Sequence, residues 1–422
     1  MIQNKNQLSN ANTKDALQIL ETGLNAAKPD QFLSKFFKKQ KFFASNKWHS
    51  LSKFNNVYLV AVGKSSYSMA KFVNSKIRIT YGLVVVPQNY QESLHKKNFR
   101  VIKAGHPIPN NSSITAAKSI LNIMKKSRNG DLIIFLVSGG ASALVSLPCG
   151  VSLKEKQRLT EILLKSGASI KEINAIRKHL SQVKGGRILE ELNCMAVSYV
   201  MSDVVGNDIS SIASGLTHCD NTTFSYCLQI VKRYGLEKKI PKRALLHLRL
   251  GSEGRISETP KKPKIQNIVV ATNDDCLKAM QKKSIRLGYR TSILSSVNGD
   301  VHKAAKKIMK TFSAKSKSCL IFGGETTVRV KGNGKGGRNQ ELVLFLLTAL
   351  SENAVVASLG TDGIDGNTKD AGAIFCGVSK ESEVQKYLKN NDSNSFFRRY
   401  GGLIKTGPTH TNLLDIGLIL KS

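Results

Sequence analysis

Short runs of branched apolar residues alternate with longer amphipathic segments along this chain, and that alternation limits its possible folds more than any other feature. Runs such as VYLVAV at 57–62 and LIIFLV at 132–137 are apolar at every position or nearly so. As strands they must therefore be buried on both faces, which parallel sheets covered by helices achieve. The segments between them carry the three- and four-residue apolar spacing of helices, the mark of βαβ units. Strands are predicted over 57–62, 83–86, 100–103, 132–137, 195–201, 267–271, 291–294, 318–322, 326–330 and 355–359. Helices are predicted over 13–25, 69–75, 113–126, 153–166, 170–180, 274–287 and 338–351. Residues 248–264 shift to Gly, Ser, Pro and Lys without apolar period and read as a linker, dividing the chain into domains at 1–248 and 265–422.

Length and charge narrow the function. A chain of 422 residues with 41% hydrophobic residues can bury two cores. The first residues, MIQNKNQLSNANTKDA, lack the basic and apolar regions of a secretory signal, so a cytoplasmic protein is expected. The uncharged stretch 132–153 is broken by Ser138-Gly139-Gly140 and Pro148, which favours strand, loop and helix start over a membrane span. Seven scattered cysteines with no CxxC pair suggest reduced thiols rather than a zinc site. A formal charge of +35 raises a polyanion-binding reading, but lysines are spread along the chain and aromatics are 6%, so no stacking platform for nucleic acid is evident. Steering of small anions is the expected use of that charge, with no nucleic-acid partner.

Glycine-bearing segments stand where strands are predicted to end: Val62-Gly63-Lys64-Ser65-Ser66, Ser138-Gly139-Gly140-Ala141-Ser142, Gly323-Gly324-Glu325 and Gly360-Thr361-Asp362-Gly363. In open α/β sheets ligands bind outside the carboxyl ends of strands, so Gly63, Ser138, Gly139, Gly140, Ser142, Gly324 and Glu325 are candidate contacts for a phosphorylated cofactor. Gly63-Lys64-Ser65 is not a Walker A loop, because Tyr58 occupies the position of its first glycine. Gly332-Asn333-Gly334-Lys335-Gly336-Gly337 matches GxGxxG and opens a predicted helix, which makes an NAD(P)-dependent hydroxypyruvate reductase the alternative reading. Against it, Lys335 and Arg338 crowd cations into the loop. Acidic residues are scarce, yet Asp203 and Asp208 share one loop and Asp362, Asp365 and Asp370 another. Asp203 and Asp362 are candidate Mg²⁺ ligands, since Mg²⁺ takes one or two carboxylates plus substrate phosphates; Asp208 and Asp370 read as turn or cap residues. In the segment INAIRKHLSQVKGG, Asn174 and Arg177 share a helix face, and His179 and His106 read as packing or hydrogen-bonding histidines.

As an ordered set, VGKSSYSMA, AGHPIPN, SGGASALVSLP, INAIRKHLSQVKGG, SDVVGNDISSIASGLT, GGETTVRVKGNGKGGRNQE, GTDGIDGNTKDAGA and TGPTHTN, spanning residues 62 to 412, resemble the class II glycerate kinases that carry a C-terminal MOFRL domain. The resemblance implies an α/β fold in two domains, an N-terminal Rossmann-like parallel sheet with helices on both faces and a smaller C-terminal α/β domain. It implies ATP and Mg²⁺ as cofactors, and D-glycerate as the small-molecule substrate, phosphorylated most often at the 2-hydroxyl. By position the family's functional lysine falls on Lys64 and its arginine on Arg338. These are expected to meet substrate in an interdomain cleft, with Asp203 as a further catalytic candidate and one of Asp203 and Asp362 taking the hydroxyl proton. Leu216, Asn207 and His410 stand where the family has proline, glycine and glycine. A monomer or homodimer without membrane association is expected.

Overall fold

The computed structural model describes residues 1–91, 97–313, 315–350, 353–377 and 381–421. The chain forms two compact units, Leu33–Val270 and a second built from Met1–Phe32 together with Ala271–Ser422.

In the unit Leu33–Val270, strands β1 (Phe37–Lys38), β2 (Lys41–Ala44) and β3 (Lys47–Ser50) make a small antiparallel sheet. Strands β4 (Val57–Val62), β5 (Tyr81–Pro87), β6 (Phe99–Ala104), β7 (Leu132–Val137), β8 (Met195–Met201) and β9 (Gln266–Ala271) form a six-stranded sheet in the order β6-β5-β4-β7-β8-β9. The pairings β4·β5, β5·β6, β4·β7 and β7·β8 are all parallel. The apolar runs behave as their composition demands. Val60, Val62, Leu83, Val85, Ile133 and Phe135 share one core with Ala116, Ala117 and Ile120 of helix Asn111–Lys126. Their neighbours Leu59, Ala61, Val84, Ile134 and Leu136 are also fully buried, so both faces are covered. A separate helical core joins the helices Leu153–Lys165, Ile170–His179, Phe224–Arg233 and Lys242–Ser252. The last of these occupies the start of the predicted linker, because Ala244 and Leu248 are buried with Phe224 and Ile230.

The other unit holds β10 (Arg290–Asp300), β11 (Ser318–Thr327), β12 (Ala354–Gly360), β13 (Gly372–Cys376), β14 (Leu403–Ile404) and β15 (Asp415–Lys421), in the order β10-β11-β15-β12-β13-β14. β10 and β11 are parallel, whereas β15 lies antiparallel to both β11 and β12. The division departs from the predicted 1–248 and 265–422: the first 32 residues belong with the C-terminal unit. The cause is helix Lys14–Ala26, whose buried Leu17, Leu20 and Leu24 pack with helix Asn273–Arg286 and β15.

Two predicted strands, 318–322 and 326–330, are one strand, so Gly323-Gly324-Glu325 is not a turn. The glycines instead permit close neighbours: a Cβ on Gly324 would lie 2.2 Å from Val297 O, and one on Gly323 would lie 2.3 Å from Asn273 Oδ1. Helix Arg338–Leu346 stops short of the predicted 351, a residue outside those described.

Candidate active site

The order of the parallel sheet places a switch point between β4 and β7, where successive connections run to opposite sides and open α/β sheets bind ligands. The loops leaving these strands are Gly63-Lys64-Ser65 and Ser138-Gly139-Gly140, and they are locked together. Lys64 N donates to Gly139 O at 2.8 Å and Ser65 N to Ser138 Oγ at 3.1 Å. Gly63 has φ +129°, and a Cβ there would sit 2.2 Å from Ser138 Oγ and 2.5 Å from Ser138 O. Only glycine permits this approach. Gly140, at φ +84°, lies against His106 and the Lys64 stem, so half-buried Lys64 stands beside both loops. The helix after the second loop, Ala141–Leu144, is a single turn. Its dipole is small, and charge at this edge of the sheet comes from side chains.

Those side chains surround Ser142. Its Oγ accepts from Arg177 Nη2 at 2.9 Å and from Lys184 Nζ at 3.0 Å, and it lies 2.7 Å from Ser214 Oγ. With both lone pairs taken, Ser142 must donate to Ser214, which donates to Asn174 Oδ1 at 3.3 Å. Arg177 Nη1 reaches the same Asn174 oxygen at 3.4 Å. Lys156 Nζ donates to Ser146 Oγ at 3.0 Å on the same segment. Burial pushes the Lys156 ammonium down to about 7, with Arg177 adding repulsion. Lys184 is likewise held well below the ordinary lysine value by burial, with Lys156 and Arg177 adding repulsion. Lys184 is delivered by the turn Gly185-Gly186, both at positive φ, whose amides bond Ser214 O and Gly215 O. Ala213 and Ser214 are themselves at φ +54° and +55°, a cost of about 1–3 kcal/mol each that concentrates strain beside Ser142.

The predicted residues divide between the two units. Lys64, Gly63, Ser138, Gly139, Gly140 and Ser142 come together as described. Asp203 is half-buried just beyond β8, which runs parallel to β7 and so ends at the same edge. In the other unit Arg338 opens its helix and is held by a fork on Asp415, Nε to Oδ2 at 2.5 Å and Nη2 to Oδ1 at 3.0 Å, with Nη1 3.3 Å from Glu325 Oε1. Burial alone would lower the arginine's pKa, but Asp415 and Glu325 raise it. Gly324 is internal to β11, and Glu325 follows it. Asp362 lies after β12, its Oδ1 accepting from Ile364 N at 3.2 Å. Asp365 caps helix Arg338–Leu346, accepting from Asn339 N at 3.0 Å and Gln340 N at 2.9 Å. Asp208 and Asp370 are turn and buried network residues, bonded by Ser210 and Ser211 and by Asn394. His179 is a packing residue, 3.0 Å from Glu258 and 2.9 Å from Ala175 O. Among the described residues no group of three or more His, Cys, Asp or Glu side chains has metal-holding geometry.

Sequence reasoning did not select Lys156, Arg177 and Lys184 as site residues. Burial of basic residues is the signal, and it appears only after folding. The GxGxxG match has a different explanation. Gly332 N and Lys335 N are taken by Asn391 and Asp392, Gly334 N by Asn390 O and Gly336 N by Asn367 Oδ1. These amides are occupied by protein groups, and the glycines make room for Asn390, Asp392 and Ser393. A concavity of about 1160 Å³ lies at the other edge of the sheet, near Val57 and Lys76, and among the described residues no acidic residue or histidine lines it.

Comparisons with known proteins find relatives over nearly the whole chain. Residues 15–249 match a domain of unknown function (DUF4147), and residues 318–415 match the MOFRL family. A glycerate 2-kinase of Pyrococcus horikoshii is 37% identical over 380 residues, covering 85% of this chain and 86% of the relative. A D-glycerate 2-kinase of Thermotoga maritima is 37% identical over 432 residues, covering 96% and 98%. The crystal structure of a Thermotoga maritima glycerate kinase has a TM-score of 0.83 at 35% identity, over 97% of this chain and 99% of that one.

Proposed function

From membership of the class II glycerate kinases with a C-terminal MOFRL domain, to which this chain belongs, we infer that it transfers the γ-phosphoryl group of ATP to the 2-hydroxyl of D-glycerate, releasing ADP and 2-phospho-D-glycerate. The observation that carries this reading is the pair of interlocked loops at the switch point, with Lys64 between them and cations gathered around Ser142. Phosphoryl transfer depends on positioning and on neutralising charge on the transferred group, so a site rich in fixed cations suits it.

In this reading the Ser138-Gly139-Gly140 loop and Ser142 lie under the nucleotide phosphates, and Lys64 neutralises the phosphoryl group in flight. Asp203 takes the proton of the glycerate hydroxyl as its oxygen bonds to phosphorus and the bridging P–O bond of ATP breaks. Arg338 is assigned to the glycerate carboxylate. Mg²⁺ would accompany the phosphates: it needs one or two carboxylates, and half-buried Asp203 in one unit and half-buried Asp362 in the other are each a candidate to hold it. When bound it shields the β- and γ-phosphate oxygens.

Purified protein given D-glycerate, ATP and Mg²⁺ is expected to release ADP, with phosphorus NMR placing the product phosphate on the 2-oxygen. NADH oxidation with hydroxypyruvate and no ADP release would sink the reading.

A further inference from the structure

Two of the buried or half-buried cations in the unit Leu33–Val270, Lys178 and Arg187, have carboxylates within reach. Lys178 pairs with Asp220 at 3.3 Å and Arg187 with Glu190 at 3.3 Å. Lys156, Arg177 and Lys184 do not: among the described residues their polar partners are serine and asparagine oxygens. Lys184 is fully buried and Lys156 is 4% exposed. Gathering three basic side chains in a low-dielectric interior without counter-charge opposes their protonation, and an anion that enters restores it and completes the arrangement. Carboxylates are used nearby: Glu172, on the same helix as Arg177, pairs with Arg233, and Asp220 pairs with Lys178 of that helix.

A second observation points to a missing ligand. Arg177 Nε is buried and has no hydrogen-bond partner, while its Nη atoms are engaged. Ser142 cannot serve an anion through its hydroxyl, because its hydrogen is committed to Ser214 by the two donors on its oxygen. Arg177, half-buried, is therefore the ligand-facing member, and the two lysines lie behind it.

We propose that Lys156, Arg177 and Lys184 form a built polyanion site that takes the phosphate chain of the nucleotide, with Arg177 in contact and Lys156 and Lys184 as positioning residues. This rests on the kinase reading and adds the residues that select the phosphoryl donor. A phosphate chain carries several negative charges and balances the cluster; a single glycerate carboxylate would leave most of it uncompensated. The groups facing Lys184 are Lys156, Arg177 and Ser142, all cationic or neutral, so an incoming anion raises the lysine's proton affinity.

The test is calorimetric titration of the full chain with inorganic pyrophosphate and with ADP at pH 8, in two buffers of different ionisation enthalpy, for wild type, Lys184→Met and Arg177→Gln. Wild type is expected to take up protons on binding. Lys184→Met should bind pyrophosphate and ADP at least tenfold more weakly with that uptake lost. It should raise KM for ATP while KM for glycerate stays within twofold, and its melting temperature should hold or rise, because a fully buried amine whose protonation burial and its basic neighbours oppose has gone. Lys156→Met and Arg177→Gln report on the same site should Lys184→Met fail to fold. Unchanged pyrophosphate affinity with a melting temperature several degrees lower would show a structural lysine and overturn the proposal, as would a rise in KM confined to glycerate. Pyrophosphate binding needs no turnover, so a wild type that binds it through these residues yet leaves glycerate unphosphorylated sinks the kinase reading alone.

Discussion

Lys64 and Arg338 carry the same charge in opposite circumstances. Lys64 is half-buried on a loop whose backbone holds the neighbouring loop through Gly139 O. Arg338 has its fork filled by Asp415, a carboxylate only 10% exposed. Lys64→Met therefore should leave the melting temperature almost unchanged while kcat falls on the order of a hundredfold, the usual loss when one preorganised electrostatic contact is removed. Arg338→Met should act on stability first, since it strands a buried carboxylate, at about 3–5 kcal/mol; Arg338→Lys, which keeps charge but not the fork, should cost less. Steady-state kinetics beside thermal melts separate the two, and a stable, slow Arg338→Met would reverse their roles. Two departures from the family wording also resolve at this scale: Asn207 and His410, at family glycines, sit at φ +55° and +56°. The sequence showed that glycine was replaced but not why it had been there, which is a left-handed backbone that asparagine tolerates better than histidine.

Helix Arg338–Leu346 shows how an element ties distant loops together. Its first free amides are accepted by Asp365, whose own carboxyl burial pushes up to about 6 despite those bonds. The folded pKa lies above the ordinary value of 3.8, so the native state binds more protons across that window. Asp365's contribution to stability therefore falls as pH rises from about 4 to 6 and is level above, an effect of at most about 3 kcal/mol. The melting temperature of Asp365→Asn relative to wild type should accordingly improve by several degrees between pH 4 and pH 7; a difference flat in pH would contradict it. From sequence this helix start was legible, since Arg338 follows a glycine run, but its meaning was not. GxGxxG describes spacing only, and here the space is filled by Asn390, Asp392 and Ser393. Strands with doubly buried faces were legible to within a few residues at β4, β7 and β8, because burial on both sides leaves one composition. β13, β14 and β15 were not, because short antiparallel strands around Gly372, Leu403 and Asp415 depend on partners far away in sequence.

At the scale of the whole molecule, sequence position misled about membership. Residues 1–32 precede the first unit in the chain yet fold with the second. Gln3 N bonds Lys405 O at 2.7 Å, Asn4 Nδ2 bonds Leu403 O at 2.8 Å and Thr411 Oγ1 bonds Ala27 O at 2.9 Å. Gly23 is necessary where helix Lys14–Ala26 crosses its neighbours, since a Cβ would lie 2.7 Å from Met280 Sδ and 2.9 Å from Ile416 Cδ1. Leu17, Ile19, Leu20 and Leu24 are all fully buried there. At about 1.5–3 kcal/mol for each such side chain they contribute roughly 6–12 kcal/mol, which is comparable to the entire stability of a typical domain of about 5–15 kcal/mol. Residues 271–422 expressed alone should therefore bind a hydrophobic dye and lack a cooperative melt. The same segment joined through a Gly/Ser linker to residues 1–32 should melt in one transition, and residues 33–270 should fold by themselves because the clusters around Phe135 and around Phe224 are, among the described residues, built only from residues of that unit. A cooperative melt for 271–422 at the temperature of the joined form would mean that the N-terminal helix covers a surface the unit can do without, and the ascription of that much stability to it would fall.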